Sequence, residues 1–362
     1  MQYSGQIVDG QMHGEGRVVY ENGEEYSGQW NRGKRHGTGV YIYNDGSRFD
    51  GNWDNDKING VGTSWYPNGN VYSGEWVNGR INGKGTLTLA IGDRYEGEWL
   101  DGKRSGYGTY FYADGDTYVG TWLNDERHGK GVMTYAAESE GQSTEKYDGE
   151  FSNGKMGGRG TYYYADGSIY DGQWLEGKMH GRGEFTYPNG NRYTGEFNND
   201  MKEGYGILEY LNGERYEGAW IANFAHGTGT LIFADGDKYT GTWESGKKSG
   251  AGELSYSNGD IFRGSWIDDR ACGPGILSYS NGDIYNGDWK DDLREGMGTF
   301  TSQDTGMIYE GQWKNGVKHG RGRLMMSGGD VLLGEFKDGL PVTGGPVQFQ
   351  FSEGSPWNDP EY

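Results

Sequence analysis

Six histidines and one cysteine recur at one place in a repeated pattern. Each lies ten residues after an aromatic residue that opens an aromatic-x-Gly-x-aromatic motif, just before a pair of glycines: His13, His36, His128, His180, His226, His319 and Cys272. If each copy is a two-stranded unit, neighbouring places are about 9–10 Å apart. That is too far for adjacent copies to ligate one zinc ion at about 2.0–2.3 Å. The spacing therefore favours a repeated structural role. The alternative is a zinc or disulfide contact between two molecules through Cys272.

The recurring Gly-x-Gly pair, as at Gly37 and Gly39, invites comparison with a nucleotide-binding loop. No copy extends to the Gly-x-Gly-x-x-Gly fingerprint of dinucleotide sites. The segment 241–248 approaches a phosphate-binding loop, but Lys248 stands where that loop needs serine or threonine. The sequence also offers no Ser/His/Asp or Cys/His cluster. We therefore predict no enzymatic activity and no cofactor, apart from the zinc alternative.

Basic residues are concentrated eight and nine positions after the first motif aromatic. These two positions hold 15 of the 33 lysines and arginines, and acidic residues such as Glu24 and Asp283 recur two positions before the aromatic. We predict a basic edge and an acidic edge, and the basic edge could bind an acidic protein, a phosphoinositide headgroup or the acidic edge of another copy. The alternative is simple solvation of charged turns. The candidate binding residues are Lys34, Arg35, Lys103, Arg104, Lys155, Lys178, Lys247 and Lys248.

The elements that position these residues follow from a 23-residue period. The motif opens at Tyr3, Tyr26 and Phe49, resumes after a longer interval at Tyr147, and reaches a degraded fifteenth copy at Leu332. In a strand, both aromatics and the glycine between them share a face, and glycine lets the rings lie across the strand. The residues predicted to repeat this structural role are Tyr26, Gly28, Trp30, Gly37, Gly39, Tyr72, Gly74, Trp76, Tyr170, Gly172, Trp174, Tyr285, Gly287 and Trp289.

A second strand over 40–43 and a turn at Asn44-Asp45-Gly46 complete each copy as a β-hairpin. Stacked hairpins predict an all-β repeat protein, an elongated twisted single-sheet rod of roughly 140 Å. We expect a continuous array over 1–350, with a longer loop at 136–145, a degenerate last repeat at 330–350 and a short tail at 351–362. The aromatic face either packs ring on ring or also forms a groove for a partner segment.

Composition excludes several classes of protein. The chain has 362 residues, of which 71 are glycine, 29 tyrosine and 13 tryptophan, and only 33% are hydrophobic. This excludes a large helical bundle and a parallel-sheet enzyme. The net charge of −20 argues against nucleic-acid binding and simple adsorption to anionic lipid. One cysteine, no long apolar run and a motif that opens at Tyr3 predict a cytoplasmic chain without transmembrane segment or signal peptide.

Tyr-x-Gly-x-Trp, the Gly-x-Gly pair and the closing Tyr-x-x-(Asn/Asp)-Gly resemble the MORN repeat (membrane occupation and recognition nexus). A chain made of these repeats alone resembles the cytoskeletal scaffolds of apicomplexan and trypanosome parasites. The resemblance implies a homodimer formed through C-terminal repeats, in cytoskeletal assemblies of cell division and budding near the cell cortex or an inner membrane structure. The alternative is a peripheral phosphoinositide-binding tether. The last copy departs from the pattern, since Thr343 replaces the first glycine of the pair, and is either a cap or a dimer contact.

Overall fold

The computed structural model describes residues 1–137, 144–343, 347–355 and 357. Within these residues the chain forms β-strands joined by turns, with no α-helix. Successive strands pair antiparallel, which confirms the prediction of stacked hairpins. The chain divides into two compact units, Met1–Gly181 and Arg182–Tyr362. The predicted length of the array stays a prediction.

The first unit contains seven complete hairpins and the first strand of the next. Its strands are β1 Gln2–Val8, β2 Gln11–Val19, β3 Glu25–Asn31, β4 Lys34–Ile42, β5 Arg48–Asp54, β6 Lys57–Trp65, β7 Val71–Val77, β8 Arg80–Thr88, β9 Arg94–Leu100, β10 Lys103–Phe111, β11 Thr117–Leu123, β12 Glu126–Thr134, β13 Lys146–Ser152, β14 Lys155–Tyr163 and β15 Ile169–Leu175. Strand β16 Lys178–Thr186 contains the boundary at Gly181. Most of the predicted longer loop, residues 138–143, lies outside the described residues.

The second unit continues the pattern. Its strands are β17 Arg192–Asn198, β18 Met201–Glu209, β19 Arg215–Ile221, β20 Phe224–Ile232, β21 Lys238–Glu244, β22 Lys247–Ser255, β23 Ile261–Ile267, β24 Arg270–Ser278, β25 Ile284–Lys290, β26 Leu293–Thr301, β27 Ile308–Lys314, β28 Val317–Met325, β29 Val331–Lys337, β30 Leu340–Pro341 and β31 Gln348–Gln350. In the last hairpin the second strand is in two pieces, because β30 and β31 both pair with β29.

Each hairpin turns tightly between its two strands. Strands β3 and β4 are joined by Arg32-Gly33, whose φ angles of 49° and 79° are both left-handed. Two such residues suit the tight hairpin turn that matches the twist of the flanking strands. We call the side of the sheet that carries these turns the tight-turn edge.

The second strand of the hairpin is longer than the sequence predicts. Strand β4 begins at Lys34 rather than at residue 40, and Gly37 lies inside it with a φ of 61°. The pairing moves from Gly28 opposite Gly39 to Trp30 opposite Arg35, so β4 bulges between those pairs. Glycine is suited to this bulge because it adopts a positive φ without strain. The prediction of a short second strand is therefore wrong by six residues at its start.

The predicted Asn-Gly and Asp-Gly turns connect one hairpin to the next at the opposite edge. The Tyr43 N–H donates to the Ser47 carbonyl at 2.9 Å, and the Gly46 N–H donates to the Tyr43 carbonyl at 3.1 Å. The three residues between Tyr43 and Ser47 end in Gly46, which has a φ of 88°. This is the three-residue loop in which a left-handed glycine follows a reverse turn. We call this side of the sheet the Asx-Gly edge.

The core is a row of aromatic rings on one face of the sheet. We number each repeat from its first aromatic, which is position 0, so that the second aromatic is at position 4. The Tyr26 ring lies edge-on to Trp30 of its own repeat, with ring centroids 5.1 Å apart, and to Trp53 of the next repeat, at 5.4 Å. Edge-to-face contacts of this kind stabilise aromatic pairs beyond the area they bury. Buried rings at the same two positions include Tyr72, Trp76, Tyr170, Trp174, Tyr285 and Trp289.

Glycines allow these rings to lie flat across two strands. The Tyr26 hydroxyl donates to the Gln29 carbonyl at 2.9 Å, which draws the ring over the paired Gly28 and Gly39. A Cβ atom on Gly39 would overlap the Tyr26 ring. The same glycine pairing within a hairpin recurs at Gly74 and Gly287, which lie opposite Gly85 and Gly298, and Gly172 lies opposite Gly160 of the preceding hairpin. The row of rings therefore depends on two glycine positions in each repeat.

Candidate functional site

The side chain at position 9 covers the aromatic row in several repeats. The Arg35 guanidinium lies 4.4 Å from the centroid of the Trp53 ring in the next repeat and 5.0 Å from that of Tyr41. Cations over aromatic faces are attracted by the ring quadrupole. Arg104, Lys202, Lys248 and Arg294 take the same place at 4.4–4.7 Å from Trp122, Trp220, Trp266 and Trp313. Of the predicted binding residues, Arg35, Arg104 and Lys248 therefore pack on the core.

A carboxylate of the next repeat also holds the residue at position 9. Asp56 accepts hydrogen bonds from the Arg35 backbone N–H at 2.9 Å and from its Nε at 3.2 Å. Asp125 binds Arg104 in the same way, at 3.0 and 3.2 Å. The two partners are 21 residues apart, which places the aspartate in the tight turn of the following hairpin. These contacts join neighbouring repeats.

The cations at position 8 are exposed on the tight-turn edge. They include the candidates Lys34, Lys103, Lys155, Lys178 and Lys247. The Lys155 ammonium lies 2.6 Å from Glu176, and that of Lys247 lies 3.0 Å from Asp268. The hydrogen bond from Lys247 to Asp268 raises the pKa of the lysine. The predicted basic edge thus carries both signs of charge, because the tight turns supply carboxylates beside the lysines. A recurring 21-residue spacing between cation and acid is the sequence signal for this.

The carboxylates of the Asx-Gly edge are held by hydrogen bonds. The Tyr41 hydroxyl donates to Glu24 at 2.6 Å and lowers the pKa of that carboxyl. The Gln303 N–H donates to Asp283 at 2.8 Å, and this bond is the main reason that the pKa of Asp283 is lowered. These predicted acidic residues therefore connect one repeat to the turn of the next.

Sequence reasoning missed a row of exposed aliphatic side chains on the tight-turn edge. Val77, Leu100 and Leu123 occupy position 5 in three successive repeats and are 48%, 57% and 47% exposed. Arg80 and Lys103 follow in the adjoining strands of the same turns. An apolar side chain immediately before three successive tight turns is the signal that could have found this row. Together these residues form an apolar strip beside basic side chains.

One of the predicted histidine positions, His36, makes a contact between strands. The Nδ1 atom of His36 lies 3.2 Å from a carboxylate oxygen of Asp54 in the next repeat. Over the described ranges, no three metal-ligating side chains come together. Cys272 is half-buried and not in a disulfide. A zinc or disulfide contact between molecules through Cys272 stays a prediction.

Comparison with known families identifies the repeat. The MORN repeat matches fourteen segments, at residues 3–25, 26–48, 49–71, 72–94, 95–117, 118–139, 147–169, 170–192, 193–215, 216–238, 239–261, 262–284, 285–307 and 309–331. The chain belongs to the MORN-repeat family. The degraded fifteenth copy is not among the matched segments, although β29 pairs with β28 as a first strand does. MORN repeats are protein-binding and membrane-binding modules, and the family is of a non-enzymatic, repeat-scaffold kind.

Comparisons with curated proteins and with solved structures add little to the family assignment of this MORN-repeat chain. No curated protein matches it. The solved structures that match include the SAS-4 (dCPAP) TCP domain of Drosophila melanogaster with a proline-rich motif of Ana2 (17% identity, 54% of this chain and 90% of that chain, TM-score 0.26). The TCP10 domain of Danio rerio CPAP with a STIL peptide also matches (15% identity, 80% of this chain and 98% of that chain, TM-score 0.28). A third is virginiamycin B lyase of Staphylococcus aureus (14% identity, 80% of this chain and 97% of that chain, TM-score 0.14). Because these TM-scores are low, none of the likenesses bears on function.

No stretch of the described residues forms a helix that could span a membrane.

Proposed function

We propose that this chain is a non-enzymatic scaffold that forms homodimers and binds other proteins at a membrane-associated cytoskeletal structure, with a role in cell division or budding. The observation behind this proposal is that the same surface recurs from repeat to repeat. In each unit the aromatic core is built within one chain, and rings covered by a cation at position 9 recur, as at Arg35 and Arg104 in the first unit and Lys202 and Lys248 in the second. A surface of this kind offers a series of similar binding sites for partner proteins.

The last hairpin supports dimerisation through the C-terminal repeats. Strand β31 pairs with β29 on one side, and no other described strand pairs with it. Phe349 and Phe351 are 51% and 42% exposed, and their rings stack with centroids 6.0 Å apart. A strand edge with exposed aromatic side chains is suited to pairing with a second copy.

Light scattering during size-exclusion chromatography tests the dimer. We expect the mass of two chains for the wild type, and the mass of one chain when Phe349 and Phe351 are both changed to Asp. The matched control is Ile7→Asp on the N-terminal edge strand β1, where Ile7 is 63% exposed. A monomeric wild type, or dimer loss only in the Ile7 variant, would contradict dimerisation through the last repeats. Proximity labelling in the native cell tests the cytoskeletal location.

A second candidate function is that of a peripheral phosphoinositide-binding tether. The apolar strip of Val77, Leu100 and Leu123 beside Arg80 and Lys103 favours it. Apolar side chains that insert into a bilayer and basic side chains that attract its anionic headgroups together bind a protein to an anionic membrane. Its test is sedimentation with phosphatidylcholine vesicles, with and without phosphatidylinositol bisphosphate. A tether pellets with the phosphoinositide vesicles and is released by Leu100→Asp, whereas a protein scaffold stays in the supernatant.

The structure also changes how the basic edge should be tested. Reversing Arg104 or Lys248 would place a carboxylate against Trp122 or Trp266 and disturb the core. The exposed Lys34, Lys103 and Lys178 can be changed to Glu without this effect. If the triple variant binds partner proteins and vesicles as the wild type does, the basic edge has no binding role.

A further inference from the structure

Position 9 is occupied by a small residue in only two repeats of the sequence. Elsewhere it holds Arg, Lys, Met, Ile or, in the last copy, Pro, whereas Ala225 and Ala271 are the exceptions. In the repeats before and after Ala225, Lys202 and Lys248 lie over Trp220 and Trp266. The corresponding ring beside Ala225 is Trp243, and a side chain that ends at Cβ is too short to cover it.

A cavity of about 490 Å³ is present at this place, within the second unit. Its walls include Trp220, Trp243, Tyr210 and Phe233, and Ala225 also lines it. Pockets that bind small molecules or single side chains are concave, mostly apolar and of roughly 300–1,000 Å³. The cavity is therefore large enough for one apolar side chain of a partner.

The charges around this cavity favour an acidic partner. Lys202 and Lys248 both line it, together with a single carboxylate, Asp269. Asp269 already accepts the Lys248 backbone N–H at 2.8 Å. The backbone N–H of Lys202 donates to the neutral side-chain amide oxygen of Asn223 at 2.8 Å. The equivalent N–H groups of Arg35 and Arg104 donate to aspartates instead. Burial lowers the pKa of Lys248, so an incoming carboxylate would stabilise its charged form.

The spacing of the repeats sets the spacing of the partner's residues. Neighbouring repeats are two strands apart, which is about 9.5 Å. Three residues of a polyproline II segment rise about 9.3 Å and complete one turn, so side chains three residues apart point to the same side. A peptide that runs along the groove with one residue at Ala225 therefore places the residues three before and three after it beside the two lysines.

We propose that this cavity anchors an acidic segment of a partner protein in the polyproline II conformation. One apolar side chain enters beside Ala225, and a carboxylate three residues before or after it binds Lys202 or Lys248. The inference rests on the proposed protein-binding function and names the partner's chemistry for one site.

Selection from a displayed library of random nonapeptides on the full chain tests the proposal. We expect a consensus with an apolar residue flanked by Asp or Glu at three residues' distance. Fluorescence anisotropy of the labelled consensus peptide should show binding weakened about tenfold or more by Ala225→Met, because Met fills the cavity. Met156 and Met179 occupy position 9 in other repeats, so the variant is expected to fold. Ala225→Ile, which copies Ile58 and Ile81 at the same position, is the second filled variant.

The matched control is Ala251→Met, which adds the same side chain at an exposed residue of β22 on the opposite face. Replacing Lys202 and Lys248 together by Met should remove the acidic preference of the selected peptides. Any one of three outcomes would overturn the proposal. The selection gives no consensus, the two filled variants bind the peptide as the wild type does, or the cavity is needed for binding phosphoinositide vesicles and not peptide. A failure here leaves the dimer and proximity-labelling results untouched, so it is distinguishable from failure of the proposed function.

Discussion

The indole N–H of Trp53 donates a hydrogen bond to the carbonyl oxygen of Gly39, in the preceding repeat, at 3.0 Å. The same bond joins Trp174 to Gly160 at 3.0 Å and Trp220 to Gly206 at 3.1 Å. In these repeats the second-position indole ties its own hairpin to the one before it, whereas the buried indole N–H of Trp266 has no hydrogen-bond partner among the described residues. Because the bond is buried, its loss leaves a polar group without water to replace the partner. Neighbouring repeats therefore stabilise one another, as expected of a repeat protein.

Gly39→Ala should destabilise the protein by about 2–3 kcal/mol, because the added methyl group overlaps the Tyr26 ring and the packed row cannot yield easily. Urea unfolding followed by tryptophan fluorescence measures the change. The control is Gly157→Ala in β14, where the new Cβ would meet Ser152 at an ordinary 3.5 Å. Equal losses for the two variants would show that the ring does not set the requirement for glycine.

Asp56→Ala should cost about 2 kcal/mol, since it removes the acceptor of the Arg35 N–H and places alanine at a φ of 68°. Asp56→Asn should cost less than about 0.5 kcal/mol, because the amide of Asn223 performs the same role for Lys202. Thermal unfolding at low and high salt separates the contributions. A large loss in the Asn variant that salt abolishes would instead point to the ion pair as the main interaction.

Alkaline pH should unfold the protein through its buried tyrosines. Burial raises the pKa of Tyr216 and Tyr239 to about 12, from 10.0 for an exposed phenol. Because the folded pKa is the higher one, this stabilisation is complete below about pH 10 and is lost as the pH rises towards 12. Phenolate absorbance and circular dichroism should change together in that window. Tyr239→Phe, which copies Phe262, should make the loss of stability smaller; an unchanged profile would contradict this account.

Acid should weaken the Asx-Gly edge. The pKa of Asp283 is below 3.8 because the Gln303 N–H and the Asn281 amide bind its carboxylate. A depressed folded pKa contributes stability above about pH 3.8, which is lost as the pH falls through the folded value. Asp283→Asn should keep neutral stability, since Asn70 and Asn191 bind the same turn in other repeats at 3.0 Å. Urea unfolding at neutral and acidic pH should then show less acid sensitivity than in the wild type.

The sequence by itself determined the period, the strand faces and the hairpin. Tyr26, Gly28 and Trp30 alternate with polar residues, and the Asx-Gly turns mark where strands end, so both signals are local. The need for glycine under the rings also follows from this alternation. These features could be predicted because they depend on residues within a few positions of each other.

Only the tertiary structure decided where the charges lie. The contact of Arg35 with Trp53 and Asp56 joins residues about twenty positions apart, and the bulge at Gly37 sets the register that brings them together. For this reason the predicted basic edge became a mixed one, with the cations at position 9 lying over the core. The cavity beside Ala225 appeared in the same way, because it depends on which ring the next hairpin places opposite a missing side chain.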